Sequence, residues 1–286
     1  MEKDIAVVYM VAGISSRFDG KIKQFAKVTE TETLIEYSLN QALPAGFTKI
    51  VFIVGEKTEK PFREKFGNNY KGIPIYYAIQ KFDSKERDKP WGTVDALCSA
   101  KDLLNCPFVL CNGDDIYGEN TFKTLVEHLK NKNALASAGY KLKEVLSEKG
   151  SVNRGIFKLK EKNVESIREI FDITKENLFL KGLCEEDLCA MNLFALSPNL
   201  IDTLEKDLIE FKNKYKDDRR AEYLLTHGLN NLIKQEKIAM EVYVAPDKWF
   251  GVTNPGDELI IQEQLKLTKK KSQHKNKSNE PAFPIG

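Results

Sequence analysis

The sequence predicts an α/β fold in which a mixed, mainly parallel sheet is flanked by helices. Apolar runs of strand length alternate with amphipathic helical patterns through the first half of the chain. Alternation of this kind implies right-handed crossovers that put helices on both faces of the sheet. With 42% hydrophobic and 10% aromatic residues in 286, the chain can bury a substantial core. The less regular second half predicts a smaller β-rich portion.

In chain order, Ile5 to Val11 reads as a buried strand, followed by the loop Ala12-Gly13-Ile14-Ser15-Ser16-Arg17. A helix then places Ile35, Leu39, Ala42 and Leu43 on one face. Lys49 to Val54 and Ile73 to Ile79 are the next strands, with a helix from Thr58 to Phe66 between them. Gly92-Thr93 opens a helix in which Val94, Leu97, Ala100 and Leu104 recur, with Thr93 as its N-cap. Pro107 to Cys111 is a strand ending in Asn112-Gly113-Asp114-Asp115, and Asn120 caps a helix with Phe122, Leu125, Val126 and Leu129 inward. Further on, Ile156 to Lys160 and Val164 to Ile170 form a hairpin across Lys162-Asn163. Leu188 to Leu196 is a strand, Leu200, Leu204, Leu208 and Phe211 mark a helix, and Ala239 to Val244 is the last strand. The sequence carries no internal repeat. The single domain spans 1–267, in halves of about 1–133 and 134–267, and the Lys/Ser/Asn-rich segment 268–286 reads as a disordered tail or linker.

Lys+Arg 44 against Asp+Glu 42 gives a net charge of +2, so nothing global points to nucleic acid or a membrane surface. The basic tail (Lys269, Lys270, Lys271, Lys275, Lys277) reads as solvated. Five cysteines without a CxxC pair suit reduced thiols and a cytoplasmic location, and the first apolar run is too short for a signal peptide or a span. His128, His227 and His274 form no ligand spacing and read as structural or solvated.

Three features carry chemistry. Gly13, Ser15 and Ser16 let backbone pass close to an anion, Arg17 adds a cationic fork, and Lys23 and Lys27 follow within reach of the same phosphates. Neither GxGxxG nor GxxxxGK[ST] is present, so this is neither of the commonest phosphate loops. Asp114 and Asp115 at a strand's carboxyl end suit Mg²⁺, which binds few carboxylates and shares substrate phosphate oxygens; a turn with a cap is the plainer alternative. Gln80 ends a strand ahead of Pro90-Trp91-Gly92-Thr93, and its amide can match the edge of a base that a glycine lets approach.

Together these features resemble the sugar-phosphate nucleotidyltransferase (nucleotide-sugar pyrophosphorylase) superfamily. Its N-terminal loop runs A-G-x-G-S/T-R and is followed by a lysine. A narrower resemblance, over most of residues 5–260, is to bacterial UTP–glucose-1-phosphate uridylyltransferase-like proteins. It rests on Lys89-Pro90-Trp91-Gly92-Thr93, Asn112-Gly113-Asp114-Asp115-Ile116-Tyr117-Gly118, Asn153-Arg154-Gly155, Ala190-Met191-Asn192 and Lys248-Trp249-Phe250-Gly251-Val252-Thr253. The resemblance implies a Rossmann-like (GT-A-type) fold with a nucleotide-binding first half and an acceptor-binding second half. It implies an NTP, UTP first and CTP second, and a phosphorylated small-molecule acceptor as partners, Mg²⁺ as cofactor, and compatibility with a homo-oligomer.

By position, it assigns Arg17 and Lys23 to catalysis on the triphosphate. Ala12, Gly13, Ser15, Ser16, Gln80, Gly92 and Thr93 fall to the nucleotide, and Gly155, Glu169, Asn192 and Lys27 to the acceptor. Asp114 falls to the metal, with Asp115 and Asn254 as further candidates. Three departures stand out. Ser15 replaces the usual second glycine; Ile170 follows Glu169 where many relatives place a lysine on the acceptor phosphate, leaving Arg168 or Lys175 as substitutes; and Thr253 or Asn254 stands where relatives carry a second metal ligand. A glycosyltransferase of related fold and a non-catalytic nucleotide-sugar sensor are the competing readings.

Overall fold

The structure is a computed structural model that describes residues 3–13, 22–132, 134–147, 150–252 and 256–277, with side chains to residue 267. Arg17, Ser15, Ser16 and Asn254 lie outside the described residues.

Five short segments of the first half build one side of the sheet: β1 (Ala6–Met10), β2 (Lys49–Val54), β3 (Asn69–Tyr70), β4 (Ile73–Ile79) and β5 (Phe108–Asn112). β1 lies between β2 and β5, and β2 pairs with β4, all in parallel. These strands are apolar on both faces because helices cover both. On one side, Val7 and Tyr9 pack with α1 (Leu34–Ala42), α2 (Glu56–Phe66) and α4 (Glu119–Asn131). On the other, Ala6 and Val8 pack with α3 (Thr93–Ser99), α6 (Asn199–Lys214) and α7 (Leu225–Lys234). The predicted inward faces of these helices are buried, Phe122, Leu125 and Leu129 of α4 among them.

The second half supplies the antiparallel part of the mixed sheet. β10 (Leu188–Leu196) runs antiparallel between β5 and β7 (Leu135–Lys141), and β7 pairs in parallel with β11 (Met240–Val244). β11 meets the hairpin of β8 (Val152–Lys160) and β9 (Asn163–Ile173), both antiparallel contacts. The sheet is therefore mixed, with its parallel order concentrated in the first half. The strand order is β3-β4-β2-β1-β5-β10-β7-β11-β9-β8, and an extra pairing of β8 with β10 curls this half back on itself. That curl sets Gly155 beside Ala190.

Helix ends differ from the sequence reading in an instructive way. Gly118, not Asn120, precedes α4, and the cap comes from far along the chain. Asp247 Oδ2 accepts the Thr121 N–H at 2.8 Å, and Asn120 Nδ2 donates to Asp247 Oδ1 at 3.0 Å. Gly92 precedes α3, while Thr93 Oγ1 accepts the Leu225 N–H at 2.7 Å and so ties two loops together. A last helix, α8 (Asp257–Lys277), buries Ile261 and Leu265 against Val28, Leu34, Ile116 and Val252. It carries helical backbone into the segment expected to be disordered, through Lys277. Among the described residues no helix is long and apolar enough to cross a membrane, and all five cysteines are free, Cys184 exposed.

Candidate active site

Because β1 and β5 are parallel neighbours in register, with Met10 opposite Asn112, their following loops emerge side by side. Gly113 N–H donates to Met10 O at 3.1 Å and fixes that contact. The loop after β1 returns at a 3-10 turn, Lys23–Phe25, and delivers the Lys23 ammonium onto the Asp114 carboxylate as an ion pair. These two residues, ninety-one positions apart in the sequence, thus share one site, as the motif reading requires. Their side chains are 20% and 21% exposed, so both stay reachable from the cleft.

Asp115 behaves differently from its neighbour. It is 5% exposed, and Asn112 Nδ2 donates to its Oδ2 at 2.9 Å. The Tyr117 hydroxyl accepts the Asn112 N–H and lies 3.0 Å from the same carboxylate oxygen. Burial, reinforced by the Asp114 charge, pushes the Asp115 carboxyl up to about 7, against the pull of Asn112, Tyr117 and Lys23. A short two-stranded sheet forms here, β6 (Asp115–Ile116) with β12 (Phe250–Gly251), and Val252 N–H donates to Asp114 O at 3.2 Å. The chain ahead of residues 253 and 254 is therefore bound directly to the acidic loop.

A cleft of about 320 Å³ opens over these groups. Lys23, Thr93, Asp114, Asp115, Gly155, Glu169 and Asn192 all line it, seven residues that the sequence singled out from six separate segments. Each has a local reason to be there. Asn192 sits at φ 53°, in the left-handed region, where the β10 register shifts between Ala190 and Phe194. Asn tolerates that conformation better than most residues, and the irregularity re-aims its side chain. Glu169 pairs across the ladder with Gly155, and the Thr226 hydroxyl at the start of α7 donates to its carboxylate.

Other expected residues are not brought to the cleft. Ala12 and Gly13 end the described part of the first loop and do not line it. Gln80 does not read outward: it is 6% exposed, its NH₂ donates to Gly92 O at 3.1 Å and to Asp95 Oδ2 at 2.9 Å, and Lys212 holds the other Asp95 oxygen at 2.6 Å. Its amide instead positions the Gly92 loop. Gly92, at φ 101°, lies so close to the Tyr223 backbone that a Cβ would stand 2.6 Å from Tyr223 O, so only glycine fits. Lys27 is exposed, donates to Thr31 O at 3.1 Å and does not line the cleft. Arg168 is exposed one position from Glu169 and does not line the cleft either.

Among the cleft residues not singled out as site residues are Arg154 and Trp249. Both lie within quoted motifs, Arg154 just before Gly155 in β8 and Trp249 just ahead of the Phe250–Gly251 pair, and that placement was the available signal.

A family model described as "Nucleotidyl transferase" matches residues 18–257. The chain belongs to the nucleotidyl transferase family. The chain is 30% identical over 207 residues to the Bifunctional protein GlmU of Methanocaldococcus jannaschii, covering 71% of its own length and 41% of that protein. It thus spans less than half of that curated relative. Two solved structures share the fold. A UDP-glucose pyrophosphorylase complexed with UDP-glucose superposes with TM-score 0.65 at 16% identity, over 93% of this chain and 99% of that one. The inositol-1-phosphate CTP transferase from T. maritima gives 0.66 at 12% identity, over 93% and 97%. The sequence-level resemblance to sugar-phosphate nucleotidyltransferases therefore holds, as does a mixed α/β architecture.

Proposed function

We propose that this nucleotidyl transferase condenses an NTP, UTP first and CTP second, with a sugar 1-phosphate or similar phosphorylated acceptor, releasing pyrophosphate. The observation that carries the reading is the meeting of Lys23 with Asp114 at the mouth of a polar cleft lined by Glu169, Gly155 and Asn192. A cation beside a carboxylate is a resting arrangement. When a triphosphate enters, the ammonium can transfer to phosphate oxygens and free the carboxylate for a cation.

The chemistry asks little of acid–base groups. An acceptor phosphate, whose second pKa is ~6, is largely dianionic near neutrality and attacks the α-phosphorus without a general base. The O–P bond to the acceptor forms as the bond to pyrophosphate breaks, and the protein's task is to hold two polyanions in line and neutralise charge. Lys23 contributes positive charge there, with Arg17 from the loop before it. Gly155, Glu169 and Asn192 hold and orient the acceptor, and Thr226 fixes Glu169.

The donors present fit Mg²⁺. Asp114 offers a partly exposed hard oxygen, and among the described residues no group of three or more His, Cys, Asp or Glu could cage an ion. That is the pattern of an ion completed by substrate oxygens and water. Asp114 would hold it, and when bound it would supply charge neutralisation on the polyphosphate.

A pyrophosphate-release screen crossing four NTPs with a panel of phosphorylated acceptors tests the proposal. It predicts release only when both substrates and Mg²⁺ are present. Consumption of a nucleotide-sugar with release of nucleoside diphosphate would point to a glycosyltransferase, and ligand binding without turnover to a sensor.

A further inference from the structure

The acceptor's phosphate has no assigned partner in the account above, because Ile170 follows Glu169, Arg168 and Lys175 are exposed and do not line the cleft, and Lys27 donates to Thr31 O. We infer that Arg154 and Trp249 form a second anion subsite in the cleft, taking the phosphate of the acceptor. The inference rests on the nucleotidyl-transfer reading of the cleft and extends it to two residues that no motif role covers.

Four observations converge. First, Arg154 and Lys23 are the cationic side chains lining the cleft, and Lys23 is paired with Asp114. Arg154 instead donates to backbone carbonyls, from one terminal nitrogen to Asn153 O at 3.0 Å and from the other to Val145 O at 2.7 Å. Second, among the described residues its Nε has no hydrogen-bond partner although it is buried. The indole Nε1 of Trp249 is in the same condition, and the guanidinium carbon stands 5.6 Å from the Trp249 ring centroid. Two buried N–H donors without acceptors, side by side in one cleft, describe a place that lacks an anionic oxygen. Third, Arg154 and Ile170 are directly opposed in the β8–β9 ladder. Opposed residues of antiparallel strands share a face, their Cβ atoms about 5 Å apart. Arg154 thus stands directly across from the position where relatives place the lysine, and of the two it is Arg154 that lines the cleft. Fourth, the indole is fixed in place: a Cβ on Gly251, the residue paired with Asp115, would stand 2.3 Å from Trp249 Cζ2.

Two carboxylates and the Cys189 thiol act on Arg154 through space. Burial alone works against its charged form, while Asp115 and Glu169 support it through space without reaching salt-bridge contact. A phosphate between the guanidinium and the indole N–H would accept a forked, charge-assisted contact. It would also lie on the Asp115 side of the cleft, within the same enclosure as the Lys23–Asp114 pair.

Titration calorimetry of the whole chain with inorganic phosphate, alongside UTP with Mg²⁺, tests this. Wild type should bind phosphate, and Arg154→Gln and Trp249→Phe should each weaken it ~10-fold or more, the cost of one charge-assisted hydrogen bond. UTP affinity should change less than twofold in either variant. Lys23→Ala should keep its phosphate affinity, since its cation serves the triphosphate. If Arg154→Gln proves unstable, Arg154→Lys should fold and bind phosphate with intermediate affinity. Equal phosphate binding by wild type and Arg154→Lys and Trp249→Phe, or none by wild type, overturns the inference. Acetate binding tighter than phosphate would overturn it as well, by making the subsite one for carboxylates. Failure of wild type to bind UTP would instead strike the nucleotidyl-transfer reading, and the phosphate results would stand apart from it.

Discussion

Replacing Lys23 with alanine separates chemistry from architecture. The structure gives two magnitudes for this one change. As an ion pair at the mouth of the cleft, with about one-fifth of each side chain exposed, Lys23–Asp114 contributes ~1 kcal/mol to stability. For a chain of this size that is a fall in Tm of about 4 °C at most. As a cation poised for charge that grows in the transition state, Lys23 contributes on the order of 3 kcal/mol, or ~10²–10³ in kcat. The expected signature is a large fall in kcat, a smaller change in the KM for NTP, and a nearly unchanged melting curve. Steady-state pyrophosphate release and differential scanning calorimetry on the same preparation read both quantities. A kcat within about threefold of wild type would remove Lys23 from the machinery. An activity loss accompanied by a collapse of Tm would show that the pair is structural and refute the partition just made.

Three further changes have outcomes that follow from geometry. Gly92→Ala places a methyl 2.6 Å from Tyr223 O on a left-handed backbone, and should destabilise by ~2–4 kcal/mol, seen as a lower urea midpoint with an unchanged m-value. Asp247→Ala removes the cap of α4 contributed from the far end of the chain, and should cost ~1–2 kcal/mol by the same assay. Lys27→Ala should leave the KM of the acceptor within about twofold, because its ammonium is committed to Thr31 O at the surface. A larger rise would restore it to the acceptor site.

Local signals were legible in the sequence, and nonlocal ones were not. The bounds of β2, β4 and β10 follow from their apolar runs alone, since a run of apolar residues between polar breaks leaves little choice. β7 escaped the sequence reading because Ala136-Ser137-Ala138-Gly139 lacks that signature. Its order comes from lying between β10 and β11, where small residues let the neighbours close in. The antiparallel insertion of β10 between β5 and β7 could not be read either, because strand alternation carries no record of which strands pair. At the site, Lys23 and Asp114 were legible as chemistry, and their meeting depended only on β1 and β5 being parallel neighbours. The hydrogen bonds of Gln80 were not legible because its partner Asp95 lies fifteen residues on in another element. Arg154 and Trp249 were visible in motifs yet silent about role. Their significance lies in hydrogen bonds they do not make, and a sequence cannot show an absent partner.

The most direct test of the central claim is a structure of the protein with Mg²⁺ and a non-hydrolysable UTP analogue. The account predicts that the Lys23 ammonium leaves Asp114 for the triphosphate and that the freed carboxylate meets the metal. A nucleotide bound elsewhere, with Lys23 still resting on Asp114, would contradict it.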